Sequence, residues 1–391
     1  PLIVLEELDK LKIKNDQLGI NARQAIRTIE KELINNNPRV IIEETPIDPL
    51  KPDNKILNVC TKLKERNIDP ILVSKDVCLR TKARSYSIQV EDYKKDQVKS
   101  DQLYTGIHPE YIQVEQEFID TLFKNGSIKT EETNYFENEC VIFEDMLNSK
   151  NRAITIFQNN QFKVINNKIE SFGLKPSNLE QTILLNHLLN PEIPLVTVSG
   201  RAGSGKTLLS IAAALELVME RNKYNKITVA RPIMAFQKDI GFLPGDINEK
   251  LGPWMMPIVD NLDFLFNFSE QPKSKSGAKV SAFEELKERG VLEICPLTYI
   301  RGRSIPKQFI IIDESQQMTP SEIRTILTRV GKDTKIVMTG DYSQIDNPFL
   351  SADTNGLVYC VDKFKNQNIA AHVTLTKCER SELATIADEI L

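Results

Sequence analysis

The sequence predicts an α/β protein in three parts, 1–98, 99–175 and 176–391, with parallel sheets in the first and last. Three observations predict it. Short continuous apolar runs alternate with stretches of helical spacing at both ends of the chain, the pattern of βα units around a parallel sheet. The middle part carries short β-type runs separated by polar turns. One strand-to-helix junction, at residue 200, carries the glycine-rich stretch GRAGSGKT.

In the first part, PLIVL reads as a buried strand with Glu6 and Glu7 at its end. NARQAIRTIEKELI places Ala22, Ala25, Ile26, Ile29 and Leu33 on one helical face. NKILNVCTKLKER is a second helix and PILVS a second strand. In the middle part, GIHPEYIQV, EFIDTLFKNGSI, YFENECVIFED and AITIFQNNQFKVI read as strands, with a hairpin turn at QNNQF. This small β-rich connector carries too many apolar residues for a flexible linker. From about residue 176 the strand candidates are 195–199, 226–230, 291–295, 309–313, 335–339 and 372–376. QPKSKSGAK, 271–279, reads as a basic loop.

Composition narrows the function classes. The 391 residues are 41% hydrophobic and 27% charged with net charge −4, so a nucleic-acid site would be a local patch. Six scattered cysteines and only three histidines disfavour a zinc site and fit a reducing cytoplasm. No apolar run approaches the ~18 residues of a membrane span.

Gly200, Arg201, Ala202, Gly203, Ser204, Gly205, Lys206 and Thr207 match G-x-x-x-x-G-K-[ST] in full, between a strand and the helix that Thr207 and Leu208 open. Glycines there let backbone N–H groups turn toward phosphate oxygens, and the helix N-terminus adds positive charge. Lys206 would reach the β- and γ-phosphates of ATP, and Thr207 would ligate Mg²⁺. Asp313, ending the strand FIIID, is the second metal contact expected. Glu314 beside it would orient the attacking water. Thr339, Asp341 and Gln344 in MTGDYSQ are candidates to sense the γ-phosphate, with an ordinary Gly-Asp turn as the alternative.

GRAGSGKTLL, FIIIDESQQMTPSEIRTILTRVG, MTGDYSQID and ERSELA, in this order, resemble the PhoH-type ATPase family, relatives of superfamily 1 helicases; the resemblance covers 176–391. It implies a RecA-like sheet in which the strand after the Asp-Glu motif lies between the phosphate-loop strand and the Asp-Glu strand. It further implies that Gln181 in SNLEQ contacts adenine and that Arg380 reaches a γ-phosphate. With only one RecA-like domain in the chain, Arg380 is expected to enter a neighbour's site in a head-to-tail homo-oligomeric ring.

PLIVLEELDKLK, LGINARQAIRTIE, PDNKILNVCTKL and LVSKDVCLRTKA resemble a PIN nuclease domain. That fold gathers carboxylates that hold Mg²⁺ or Mn²⁺ for phosphodiester cleavage. The matching positions are Glu7, Asp53 and Asp76, with Asp92 a fourth. A complete domain of this kind opens with a strand ending in a catalytic Asp, so residue 1 is expected to lie inside its second conserved segment. The alternative for Glu6, Glu7 and Asp9 is ordinary acids at a helix start. A PIN domain followed by a PhoH ATPase implies an ATP-dependent RNA-unwinding and RNA-cleaving enzyme. Arg231, Arg301, Arg303 and the lysines of 273–279 are candidate RNA contacts, each with solvated surface as the alternative. A nucleotide-gated RNA-binding or partner-remodelling ATPase with an inactive PIN half is the competing expectation.

Overall fold

The computed structural model describes residues 1–13, 17–35, 37–38, 40–44, 51–92, 103–132, 134–232, 247–268, 282–300, 305–347 and 350–378. The chain divides into two compact units, Pro1–Lys95 and Asp96–Leu391.

The first unit runs α1 (Leu2–Leu11), α2 (Gln17–Ile34), α3 (Pro52–Glu65), β1 (Ile71–Val73), α4 (Val77–Ser85) and β2 (Gln89–Glu91). β1 and β2 pair in parallel, Leu72 opposite Val90. Leu57, Cys60, Leu72, Leu79, Ala83 and Ile88 form the core between them. The expected opening strand is a helix. Ile3 is buried, and Glu7, Leu8 and Leu11 fall on the same half-protected side. A short apolar run does not by itself separate strand from helix. The Glu, Leu and Lys residues that follow favour the helix.

The second unit opens with β3 (Ile112–Val114), α5 (Gln116–Asn125), β4 (Ser127–Lys129), β5 (Cys140–Asp145), β6 (Arg152–Phe157) and β7 (Gln161–Val164). They form a five-stranded sheet in the order β3-β5-β6-β7-β4. EFIDTLFKN, expected as a strand, is α5. Ile119 and Leu122, three apart, are its fully buried residues, and left-handed Gly126 ends it at φ 73°. The QNNQF hairpin is present, with Asn159 and Asn160 at φ 52° and 57°, which asparagine tolerates better than most residues.

The rest of the unit contains α6 (Leu179–Leu189), β8 (Leu195–Gly200), α7 (Lys206–Leu215), β9 (Lys226–Arg231), α8 (Ile247–Phe268), α9 (Ala282–Glu288), β10 (Leu292–Pro296), α10 (Leu297–Ile300), β11 (Gln308–Ile312), α11 (Pro320–Leu327), β12 (Lys335–Gly340), α12 (Gly356–Phe364) and β13 (Ala370–Leu375). The six strands are all parallel in the order β10-β9-β11-β12-β8-β13. β12 lies between β8 and β11, as the resemblance implies, and the sheet is RecA-like. Both faces are covered. In β11, Phe309 and Ile311 join the core shared with α6, α7 and α8, while Ile310 and Ile312 join that shared with α11 and α12.

The β-rich segment lies in the same compact unit as this sheet. Cys140 N–H donates to the Gly106 carbonyl at 2.9 Å, and Thr374 N–H to the Thr105 carbonyl at 2.9 Å. Residues 105–106 thus join β5 to the edge strand β13. The approach demands glycine: Gly106 has φ +82°, and a Cβ there would stand 1.7 Å from the His372 carbonyl oxygen.

Two buried anchors set the strand depth. Lys335, fully buried, donates from Nζ to the carbonyls of His187, Asn190 and Ile193 at 2.9, 2.7 and 2.7 Å. Three carbonyls at the end of α6 surround the amine, and burial lowers its pKa well below the ordinary lysine value. His372 on β13 bonds Thr197 Oγ1 through Nδ1 at 2.9 Å and Thr374 Oγ1 through Nε2 at 3.0 Å.

Burial lowers the pKa of His187 to about 3, with the Lys335 charge adding to it, and burial lowers that of His372 to about 3. A histidine depressed on folding binds its proton more readily in the unfolded chain. The stability is therefore present above the unfolded value, about 6.5, and is lost as pH falls toward 3. Each histidine removes roughly 1.4 kcal/mol per pH unit in that window. Urea unfolding at pH 7, 6 and 5 should show this loss, and His372→Gln should remove about half of the histidine contribution. An unchanged slope in His372→Gln would contradict the assignment.

Candidate active site

The site lies at the carboxyl ends of β8, β9, β11 and β12, where parallel α/β sheets bind ligands. β8 ends at Gly200, and α7 begins at Lys206. Gly203 and Gly205 between them have φ 83° and 90°, the left-handed turns that curl a backbone around an anion. Lys206 folds over its own loop, donating to the carbonyls of Gly200 at 2.6 Å and Arg201 at 2.8 Å. Ala202, Gly203, Gly205, Lys206, Thr207 and Leu208 line a cleft of about 450 Å³ with Arg231, Asp313, Glu314, Asp341 and Gln344.

Asp313 ties the motifs together. Its Oδ1 accepts from Thr207 Oγ1 at 3.0 Å and from Thr339 Oγ1 at 2.6 Å. It thereby links the first turn of α7, the end of β11 and the end of β12. The next residue, Glu314, stands at φ 55°, ψ 36°, uncommon for a side chain of its size. That turn sends the chain into a short 3₁₀ segment, Ser315–Gln317, and Ser315 Oγ donates to the Thr339 carbonyl at 2.6 Å. Both Glu314 oxygens accept hydrogen bonds: Oε1 from Arg231 Nη2 at 3.0 Å, Oε2 from Gln316 Nε2 at 2.6 Å. The backbone carbonyl of Gln344 accepts from Gln316 and Gln317, each at 3.0 Å. Asp341 is buried. Its Oδ1 accepts from Ser343, while Oδ2 has no partner among the described residues.

Gln181 takes up an unexpected position. It is only 5% exposed, its Oε1 accepts from the Ser177 N–H at 2.8 Å, and its Nε2 donates to the Ser204 carbonyl at 3.1 Å. Its amide supports the phosphate loop from behind. Arg231, expected to contact RNA, instead lines the cleft beside Asp313 and Glu314. Sequence reading missed Gln316 altogether, and its only local signal is its place two residues after Glu314. Arg380, Arg301, Arg303 and the lysines of 273–279 lie outside the described residues.

In the first unit three of the matching acids, Asp53, Asp76 and Asp92, engage α4. Asp76 caps that helix by accepting from the Leu79 N–H at 2.9 Å. Asp92 pairs with Arg80 at 3.1 Å, and Asp53 pairs with Lys82 at 3.4 Å. Glu7 lies on α1. Among the described residues no three His, Cys, Asp or Glu side chains are grouped to hold a metal ion. As arranged, these acids do not fit the expected Mg²⁺ or Mn²⁺ cage. The cleft of the second unit does fit Mg²⁺: the Thr207 hydroxyl and the Asp313 carboxylate are hard oxygen donors beside the phosphate loop.

The Gln181 geometry makes a prediction. Gln181→Ala should weaken binding of ATP and GTP analogues alike, because it loosens the loop that holds their common phosphates. Equilibrium titration with both analogues checks this. Loss confined to the adenine nucleotide would instead support the base contact that the resemblance implies.

No helix among the described residues is long and apolar enough to cross a membrane. The PhoH-like protein family matches residues 173–390, and the PIN domain family matches residues 1–94. Protein PhoH2 of Bacillus subtilis is 38% identical over 424 residues, covering 100% of this chain and 93% of that protein. Protein PhoH2 of Thermobispora bispora is 33% identical over 416 residues, covering 100% and 90%. Among solved structures, Pif1 helicase from Candida albicans aligns with 55% of this chain and 43% of its own at 16% identity and a TM-score of 0.29. The chain therefore belongs to the family of PhoH-like proteins, P-loop ATPases, and carries a PIN domain, a nuclease-like module, ahead of the P-loop unit.

Proposed function

We propose that the chain hydrolyses ATP in the P-loop cleft and uses the turnover to act on RNA, which the PIN domain engages. The observation that carries this reading is the pair of hydrogen bonds that Asp313 accepts from Thr207 and Thr339, which brings three motifs to one cleft of about 450 Å³ with Glu314 beside it.

In this reading Lys206 turns from the Gly200 and Arg201 carbonyls to the β- and γ-phosphates. The loop's N–H groups and the start of α7 hold the remaining phosphate oxygens. Mg²⁺, held by Thr207 and Asp313, would supply positive charge to the phosphates when bound. Glu314 orients a water against the γ-phosphorus and accepts its proton. The new P–O bond forms as the bond to the β–γ bridging oxygen breaks, and ADP and phosphate leave. Thr339 keeps Asp313 aimed at Thr207, and Asp341 and Gln344 face the γ-phosphate side.

RNA unwinding and cleavage rest on the resemblance of the two domains. A second reading has a specific observation behind it: Asp53 and Asp92 are each paired with an α4 cation, Lys82 and Arg80. That pairing favours a PIN domain that grips RNA without cutting it, under nucleotide control. Gel analysis of RNA incubated with the full chain and Mg²⁺ or Mn²⁺ separates the readings: cleavage abolished by Asp53→Asn supports the nuclease, and intact RNA supports the grip.

Lys206→Ala should abolish ATP hydrolysis and weaken binding of a fluorescent ATP analogue. Glu314→Gln should retain that binding and stop turnover, since it removes the proton acceptor and leaves the phosphate contacts. Added RNA should raise wild-type turnover. Equal loss of binding in both variants would overturn the roles given to them.

A further inference from the structure

Arg231 closes β9, the strand next to β11, and the register fixes its place: Ala230 stands opposite Ile312, and the Asp313 N–H donates to the Ala230 carbonyl at 2.9 Å. The guanidinium therefore falls beside the Asp-Glu pair. Nη2 is 3.0 Å from Glu314 Oε1, and Nε is 3.9 Å from Asp313 Oδ2. The other Glu314 oxygen is held by Gln316. A donor stands on each carboxylate oxygen, one of them a cation, where a water that Glu314 is to orient would have to bind. One donor has to withdraw before Glu314 can serve.

The two donors are not equally able to withdraw. Gln316 is fully buried, and its Nε2 is shared with the Gln344 carbonyl. A Cβ on Gly340 would stand 2.6 Å from its Oε1. Arg231 instead borders the cleft with a side chain 18% exposed. It already binds a carboxylate where, on the reading of Glu314 as the base, the γ-phosphate must come.

We propose that Arg231 is a γ-phosphate-sensing residue acting within its own chain: on triphosphate binding it exchanges Glu314 for the γ-phosphate and so frees Glu314 for water. The proposal rests on the ATPase reading. It assigns Arg231 to two anions in turn, and no covalent step is involved. A guanidinium suits both, since its planar fork matches carboxylate and phosphate oxygens alike.

Equilibrium titration of the full chain with a non-hydrolysable fluorescent ATP analogue and with fluorescent ADP tests this. Arg231→Ala should weaken the triphosphate about tenfold or more and the diphosphate by less than about twofold, and Arg231→Lys should fall between. Glu314→Gln removes the competing anion. It should tighten the triphosphate about threefold to tenfold with Arg231 present and not at all in the Arg231→Ala background. That last comparison moves only if the two anions compete, so a merely structural arginine does not reproduce it. If Arg231→Ala fails to fold, Arg231→Lys and Glu314→Gln carry the same comparison. Equal loss of both nucleotides, or unchanged nucleotide affinities with loss of RNA binding, would overturn the assignment. A wild type that binds neither nucleotide would bring down the ATPase reading, and the proposal with it.

Discussion

The cleft depends on one buried carboxylate. Asp313 accepts hydroxyl bonds from Thr207 on α7 and Thr339 on β12. The Thr339 bond is short and buried, so its loss leaves a largely buried carboxylate short of a partner. The same contacts order everything nearby. Thr207 fixes the first turn after the phosphate loop, and Thr339 fixes the end of β12. The Thr339 carbonyl holds Ser315, whose segment carries Gln316 to Glu314. The sheet provides the frame, because β12 lies between β8 and β11 and brings the three ends side by side.

Around this carboxylate the site is arranged as supports and moving parts. Gln181 braces the loop through Ser204, Lys335 pins β12 to the end of α6, and Gly106 lets the smaller sheet close on β13. These groups are buried and fully engaged. Lys206, Arg231 and Glu314 instead face the cleft, and in the proposed reading each exchanges its present partner for phosphate or water. A rigid shell with exchangeable contacts at its centre is what phosphoryl transfer asks of a protein, since positioning and charge do most of that chemistry.

Much of this was legible in the sequence, for physical reasons. The six parallel strands are buried on both faces, so they appear as continuous apolar runs. The phosphate loop needs its glycines in fixed places and shows them. PLIVL and EFIDTLFKN were misread because short runs of apolar, aromatic and β-branched residues suit a strand, while packing on one face makes them helices. The place of Arg231 beside the Asp-Glu pair comes from the adjacency of β9 and β11, which no local stretch records. The partners of Gln181, its nearest neighbours in space, include Ser204, 23 positions away. Lys335 would be exposed by residue type; three carbonyls far upstream keep it inside. The PIN acids match a pattern of positions, yet side-chain pairing with α4 decides how they stand.

If the Asp313 hydroxyl bonds assemble a working ATPase cleft, steady-state ATP turnover by the purified full chain should exceed that of Thr339→Val, which removes one hydroxyl and keeps the shape. Turnover is expected in the wild type, with a fall of about tenfold or more in the variant and thermal unfolding shifted by only a few degrees. Equal turnover in the two proteins would contradict this.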